Sequence, residues 1–285
     1  MLSGEHFWCQ GYSEPGAGSD LAALQMKAVR DGDDLVCTGT KIWTTHANVA
    51  NWIFCLVRTS KGARKQQGIT FLLIDMNSPG IEVRPIVMAS GEHIQNQISF
   101  DNVRVPVANV LGQIDDGWTV AKYLLEFERG GSAYAPEIAI ELDELARHVS
   151  TQPAGPGRAL LEARVAEARI RCDILARLES DILSRLSAGA PTGADASMMK
   201  ILGTELQQRV TELALDAAGP LARAFQPGVA MPGGPIPGHV LDDYCSGEVW
   251  QAIAPLRYLN ERAGSIYAGT NEIQRGILAK AELGI

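Results

Sequence analysis

Positive charge is in short supply: 25 Lys and Arg stand against 33 Asp and Glu, a net charge of −8. That balance argues against bare electrostatic binding to nucleic acid, although local basic residues could still hold a phosphorylated cofactor. No run of about 18 uninterrupted apolar residues occurs, so no transmembrane helix is expected. Cysteine is sparse and scattered. Cys9, Cys37, Cys55, Cys172 and Cys245 are odd in number and contain no Cys-x-x-Cys pair, which argues against a disulfide framework and a zinc site. The start, Met1-Leu2-Ser3-Gly4-Glu5-His6, lacks the basic residues and apolar run of a secretory signal. These absences predict a reduced, cytoplasmic protein that engages neither nucleic acid nor membrane.

What the chain does have is core material, with 46% hydrophobic residues over 285 positions, enough for one large domain or two ordinary ones. The pattern changes once, near residues 111–117. Before it, short runs rich in β-branched and aromatic residues (35–38, 52–57, 69–74, 81–86 and 97–100) are separated by turn signals such as Asp31-Gly32-Asp33 and Ser78-Pro79-Gly80. No helix-period stretch lies between them to serve as a parallel crossover. The first third therefore reads as an antiparallel β-barrel or sheet. After Gly117 the period is helical: 118–148 with a kink at Pro136, 156–187, 194–218 capped at Thr192 or Asp195, 242–262 after a Pro/Gly-rich insert, and a last helix from about Thr270. The apolar stripes of these helices read as core. The fold class is α+β, with a β-domain over 1–114 and a C-terminal four-helix bundle over 115–285.

Two segments of the β region concentrate residues that free or cap the backbone. Gln10-Gly11-Tyr12-Ser13-Glu14-Pro15-Gly16-Ala17-Gly18-Ser19-Asp20 combines glycines, which allow close approach to a flat ring or phosphate, with hydroxyls and exposed N–H groups. Gly39-Thr40-Lys41-Ile42-Trp43-Thr44-Thr45 puts an indole and hydroxyls on one short element. On residues alone, the first is equally a surface turn and Trp43 a core aromatic. Ser13-Glu14-Pro15-Gly16-Ala17-Gly18-Ser19-Asp20 resembles the Thr-Glu-Pro-x-x-Gly-Ser-Asp signature of acyl-CoA dehydrogenases, and the Trp43 segment resembles their Gly-x-Lys-x-Trp-Ile-Thr element. Phe100-Asp101-Asn102-Val103-Arg104-Val105-Pro106 with Leu111-Gly112 resembles the family's exit from its β-domain. Tyr267-Ala268-Gly269-Thr270-Asn271-Glu272-Ile273-Gln274-Arg275 resembles the loop and helix that close over the flavin.

The resemblance implies FAD as cofactor, an acyl-CoA substrate and an electron-transfer flavoprotein as electron acceptor, in a homo- or hetero-oligomer (dimer or tetramer) serving lipid metabolism. It implies that Ser13, with the backbone around Tyr12, hydrogen-bonds the isoalloxazine, that Trp43 packs on the ring, and that Thr44 and Thr45 lie at its edge. Ser19 and Gly269 would lie on the substrate side. Thr270 and Glu272 would contact the phosphate or adenosine side at a helix N-terminus, which suits an anion.

Dehydrogenation across Cα–Cβ needs a carboxylate to take the Cα proton. Many family members carry it as the Glu of Tyr-Glu-Gly-Thr, where this chain has Ala268. Isovaleryl- and long-chain-type members instead place Glu before Arg on the first bundle helix, and this chain has Glu126-Phe127-Glu128-Arg129-Gly130. By residue type alone, Glu126 and Glu128 are solvated helix charges. By resemblance, Glu128 is the base, Arg129 the arginine that follows it, and the Ala268 N–H a donor to the thioester carbonyl.

The pattern also departs from the family. Family members begin with a helical domain, so the resemblance implies a fragment of a longer protein, or a partner that supplies the missing wall. The Arg-x-x-Phe-like segment of subunit contacts is not recognisable around 148–156, and the Gly-Gly-x-Gly loop is reduced to Ala217-Ala218-Gly219-Pro220. Three readings follow: an acyl-CoA dehydrogenase, a non-catalytic flavin-binding subunit of a heteromeric one, and an oxygen-using offshoot.

Overall fold

The structure, a computed structural model, describes residues 3–131, 133–189, 194–228, 236–239 and 245–284, with backbone only over 126–131. Two compact units emerge, Met1–Met88 with Glu92–Phe127 and Ala89–Gly91 with Glu128–Ile285.

The first unit is a curled seven-stranded sheet. Its strands are β1 (Trp8–Gly11), β2 (Lys27–Asp31), β3 (Asp34–Thr45), β4 (Trp52–Arg58), β5 (Ile69–Asp75), β6 (Ile81–Val87) and β7 (His93–Pro106). Alternation is clean in β7, where His93 to Phe100 run half-buried then buried, as a one-sided strand should. β5 is buried along nearly its whole length and reads accordingly as a continuous apolar run. Pairing is antiparallel along β2–β3, β3–β7, β6–β7 and β4–β5. It is parallel between β1 and β4 and at the single Lys27–Arg58 pair of β2 and β4. β2 escapes the sequence pattern because only Ala28 of its five residues is buried. The core holds Leu35, Ile53, Val57, Leu72, Ile74, Ile98 and Val103.

Cys9, Cys37 and Cys55 sit in that core as free thiols. Burial, reinforced by the neighbouring Cys55, pushes Cys9 and Cys37 up to about 12; burial pushes Cys55 up to about 11. Burial also raises Cys172 in the helical unit, and Cys245 alone is part-exposed. A small thiol reagent at about pH 8 should therefore label Cys245 quickly and the other four only after unfolding, because thiolate is the reactive species. Mass mapping of the labelled peptides checks this. Fast labelling of Cys55 in folded protein contradicts it.

Helices follow: α1 (Gly117–Gly131), α2 (Ala135–Ser150), α3 (Pro156–Ser187), α4 (Asp195–Ala218), α5 (Val249–Glu261) and α6 (Asn271–Leu283). The stretch predicted as one kinked helix over 118–148 is two helices. Pro136 stands in the first turn of α2, where its missing N–H costs nothing. Glu179 of α3, nearly fully buried, caps that helix from outside by accepting from the N–H groups of Tyr134 (2.6 Å) and Ala135 (3.2 Å). α4 begins at Asp195 behind Ala194, so Asp195 is its first residue and not a cap; Thr192 lies outside the described residues. α5 starts at Val249 with a Glu248–Gln251 capping box, and residues 242–244 of the predicted helix lie outside the described residues.

The bundle core joins α2, α3 and α4 through Leu142, Leu145, Val165, Leu175, Leu206 and Leu213, with Trp250 of α5 packed against it. The apolar stripe of α3 is not all core. Val165, Ala168, Leu175 and Ile182 are buried, but Leu160, Ile170, Ile174 and Leu183 are exposed, because 32 residues of mixed pattern present more than one apolar face and the bundle covers one. Among the described residues no helix is long and apolar enough to cross a membrane.

Candidate functional site

In the β unit the two motif segments are tied into one assembly. A tight turn closes Glu14-Pro15-Gly16-Ala17, with Glu14 and Ala17 exchanging both backbone hydrogen bonds (2.9 and 3.0 Å). Opposite it, β3 bulges between Lys41 and Thr44, where its pairing to β7 shifts register. The Ile42 N–H, released by that bulge, donates to the Ser13 carbonyl at 3.0 Å. Lys41, fully buried, donates to the Tyr12 carbonyl (3.1 Å) and to Glu14 Oε1 (2.8 Å). The Glu14 carboxylate in turn accepts the N–H groups of Gln25 (2.6 Å) and Met26 (2.9 Å). One buried ion pair thus pins the loop to the bulge.

The bulge has a consequence for Trp43. Its backbone takes φ 62°, a sterically costly region for a bulky residue, and the residue is 57% exposed. A strained, exposed backbone position makes Trp43 a candidate for ligand contact; it is not the core aromatic that residue type alone allows. Thr45 Oγ1 pairs with the Gln95 amide at 3.0 Å. Thr44 is buried, and its hydroxyl has no partner among the described residues. Tyr12 is buried edge-on against Phe54 and Phe71, at 5.9 and 6.2 Å, so its ring supports the loop from beneath. Ser13 is half-buried and Ser19 exposed. An exposed indole beside a hydroxyl-bearing loop fits a flat, hydrogen-bonding ring system such as a flavin.

In the helical unit, Ala268 and Gly269 take φ 53° and 84°, two successive left-handed residues just before α6. The positive φ favours glycine at 269, and a Cβ there would lie 2.6 Å from Gln274 Nε2, so that amide would have to move. Neither the Ala268 nor the Gly269 N–H donates a hydrogen bond among the described residues. Buried Gln274 faces this loop, its amide donating toward the Ala268 and Gly269 carbonyls (3.3 and 3.4 Å) and accepting from Ser197 Oγ (2.7 Å). Asn271 joins Lys200 (2.8 Å) and Thr204 in a buried polar cluster. Thr270 is the N-cap of α6, its hydroxyl accepting the Ile273 N–H at 3.2 Å. The Glu272 carboxyl is held below its usual range by the adjoining backbone N–H and then by the Thr270 hydroxyl.

Sequence reasoning gave no role to Gln274, Asn271, Ser197, Lys200 or Thr204. The signal was present: Ser197, Lys200 and Thr204 are polar residues at helical spacing on an otherwise apolar face of α4. Glu128 and Arg129 lie near the end of α1, but their side chains lie outside the described residues.

Family models add to this geometry. The acyl-CoA dehydrogenase middle domain matches residues 9–103, and the acyl-CoA dehydrogenase C-terminal domain matches residues 115–283. The chain belongs to the acyl-CoA dehydrogenase family. It is 36% identical to the acyl-CoA dehydrogenase IpdE1 of Mycobacterium tuberculosis over 98% of its own length and 66% of that protein's. A solved steroid acyl-CoA dehydrogenase, Tcur3481-Tcur3483, superposes with TM-score 0.80 and 29% identity, covering 100% of this chain and 69% of that one. The ChsE4-ChsE5 complex from Mycobacterium tuberculosis gives TM-score 0.80 and 30% identity, covering 99% and 70%. The chain thus spans about two thirds of these acyl-CoA dehydrogenase-family proteins.

Proposed function

We propose that this chain is the flavin-binding and base-carrying part of an acyl-CoA dehydrogenase that converts an acyl-CoA thioester to its trans-2-enoyl product. The observation that carries the reading is the loop-and-bulge assembly, which ties Ser13 to Ile42 and leaves strained Trp43 exposed beside it. Ser13, the Tyr12 backbone, Trp43, Thr44 and Thr45 hold the isoalloxazine of FAD. When bound, the flavin supplies the hydride acceptor. Glu128 takes the Cα proton, with Arg129 beside it in sequence. The free Ala268 N–H donates to the thioester carbonyl and stabilises the enolate-like charge, while Gln274 and Ser197 position that loop. Gly269 and Ser19 line the route of the thioester and pantetheine. Thr270 and Glu272 face the adenosine side. Glu272 is an anion already engaged with its own backbone amide and the Thr270 hydroxyl, so it suits a ribose hydroxyl better than a phosphate.

Electrons then pass to an electron-transfer flavoprotein, and the working unit is an oligomer in the cytoplasm. A heteromeric assembly with a homologous chain is favoured by the substitution Ala268 and by the two-chain make-up of ChsE4-ChsE5. The competing reading, a non-catalytic flavin-binding subunit, rests on the same Ala268.

Anaerobic titration of the purified flavoprotein, in its native assembly, with a panel of acyl-CoA thioesters tests this. Loss of the flavin's visible absorbance that air restores only slowly is the expected result. Rapid reoxidation by air identifies an oxidase, and no loss with any thioester identifies the binding subunit.

A further inference from the structure

The helical unit contains a cavity of about 250 Å³ walled by α2, α4, α5 and the loop before α6. Each of its ten lining residues has a polar or charged side chain, which is unusual, since small-molecule pockets are mostly apolar with a few polar groups. Two parts of the wall are close in sequence to the residues given reacting roles above. Tyr134 and Glu137 stand just beyond the end of α1, which carries Glu128, and Tyr267 directly precedes Ala268. Tyr134 reaches its place only because residue 203 is glycine; a Cβ there would lie 2.3 Å from the ring.

The chemistry of the wall is both donating and accepting. Glu141 is held by Gln207 (2.6 Å) and Arg257 (3.3 Å). The carboxylates of Glu137 and Glu261 accept no hydrogen bond among the described residues, Glu261 taking the Gln208 amide only on its backbone carbonyl. Burial, then Glu141 and Glu137, hold the Glu261 carboxyl above its usual range. Tyr267 is 57% exposed, and loss of water around its hydroxyl, then Glu261, push it up to about 12, so it remains a donor at neutral pH. An alkyl chain entering here would strip water from these groups and return nothing. A terminal carboxylate would face three glutamates against one arginine. A hydroxyl both donates and accepts, and matches such a wall.

We infer that this cavity receives the distal part of the acyl group, and that the substrate class is an acyl-CoA bearing one or more hydroxyls away from the thioester. The inference rests on the dehydrogenase reading. It names what that site selects.

The test uses non-reactive CoA thioethers, so that binding is read apart from turnover. Isothermal titration of the flavin-loaded native assembly would compare a ring-hydroxylated cycloalkyl-propyl thioether, its deoxy analogue, a straight alkyl of equal carbon count and an ω-carboxyalkyl. The hydroxylated ligand should bind roughly 10- to 100-fold more tightly than the deoxy one, the worth of a hydrogen bond to a charged group. Glu137→Leu and Glu261→Leu should each narrow that ratio; Glu137 is solvent-exposed on α2, so its variant leaves the bundle core intact. Equal or tighter binding of the deoxy, alkyl or carboxyalkyl ligand overturns the inference alone. If no CoA thioether binds and no thioester reduces the flavin, the dehydrogenase reading falls and takes this inference with it.

Discussion

Replacing Glu128 by glutamine is expected to slow flavin reduction by an acyl-CoA roughly 10²- to 10⁴-fold, the span of general-base contributions, while the flavin stays bound. Glutamine keeps the size and hydrogen-bonding reach of the side chain and removes only its capacity to take a proton. The effect should be this large because nothing else at the reacting end can substitute: position 268, the family's usual site for the base, is alanine. Rapid-mixing measurement of flavin bleaching under anaerobic conditions gives the rate directly, and the flavin-to-protein ratio shows retention. Glu126→Gln, two residues away on the same helix, should change the rate by less than about threefold. Restoring a carboxylate at the other position, in the double variant Glu128→Gln/Ala268→Glu, should recover part of the lost rate. The backbone there already has φ 53°, so the recovery will be incomplete if the added side chain shifts the loop. An unchanged rate in Glu128→Gln removes Glu128 from the mechanism.

Most of the helical unit was legible in the sequence, because period and punctuation agree. Residues 156–187 run as one helix between Pro156 and Ser187, as their pattern predicts. The break between α1 and α2 was not, since Pro136 looks the same whether it kinks a helix or opens one. What decides is Glu179, which comes from 45 residues away to cap α2 and leaves no local trace. The exposed faces of Ile170 and Ile174 misled for a related reason: a helix stripe says that a face is apolar, not that anything covers it. In the β unit the strands with buried runs were visible, and polar β2 was not. The Tyr267–Thr270 loop, proposed above to meet the thioester, was singled out by resemblance. What holds it, the chain from Ser197 through Gln274 to the Ala268 carbonyl, depends on side chains brought together from 77 residues apart.

The second large effect concerns Glu14 and Lys41, which no reaction step uses. Both are buried, 2.8 Å apart, and between them they satisfy the Tyr12 carbonyl and the N–H groups of Gln25 and Met26. Taking two charges out of water is costly, and the pair offsets that only while both members remain. Glu14→Ala leaves a buried ammonium with one carbonyl for company, and frees two backbone donors as well. It should lower stability by about 3–5 kcal/mol. Lys41→Met leaves a carboxylate that still accepts two N–H groups, so its loss should be smaller, roughly 2–4 kcal/mol. Glu14→Gln keeps an acceptor for the backbone and should be the mildest of the three. Urea denaturation midpoints give the ranking. The same variants should lose flavin in that order, because the pair is what fixes the Tyr12–Ser13 loop against the Trp43 bulge. If Glu14→Ala retains both its midpoint and its flavin, the ion pair does not hold the loop, and the Ile42–Ser13 hydrogen bond and the Tyr12 packing must suffice alone.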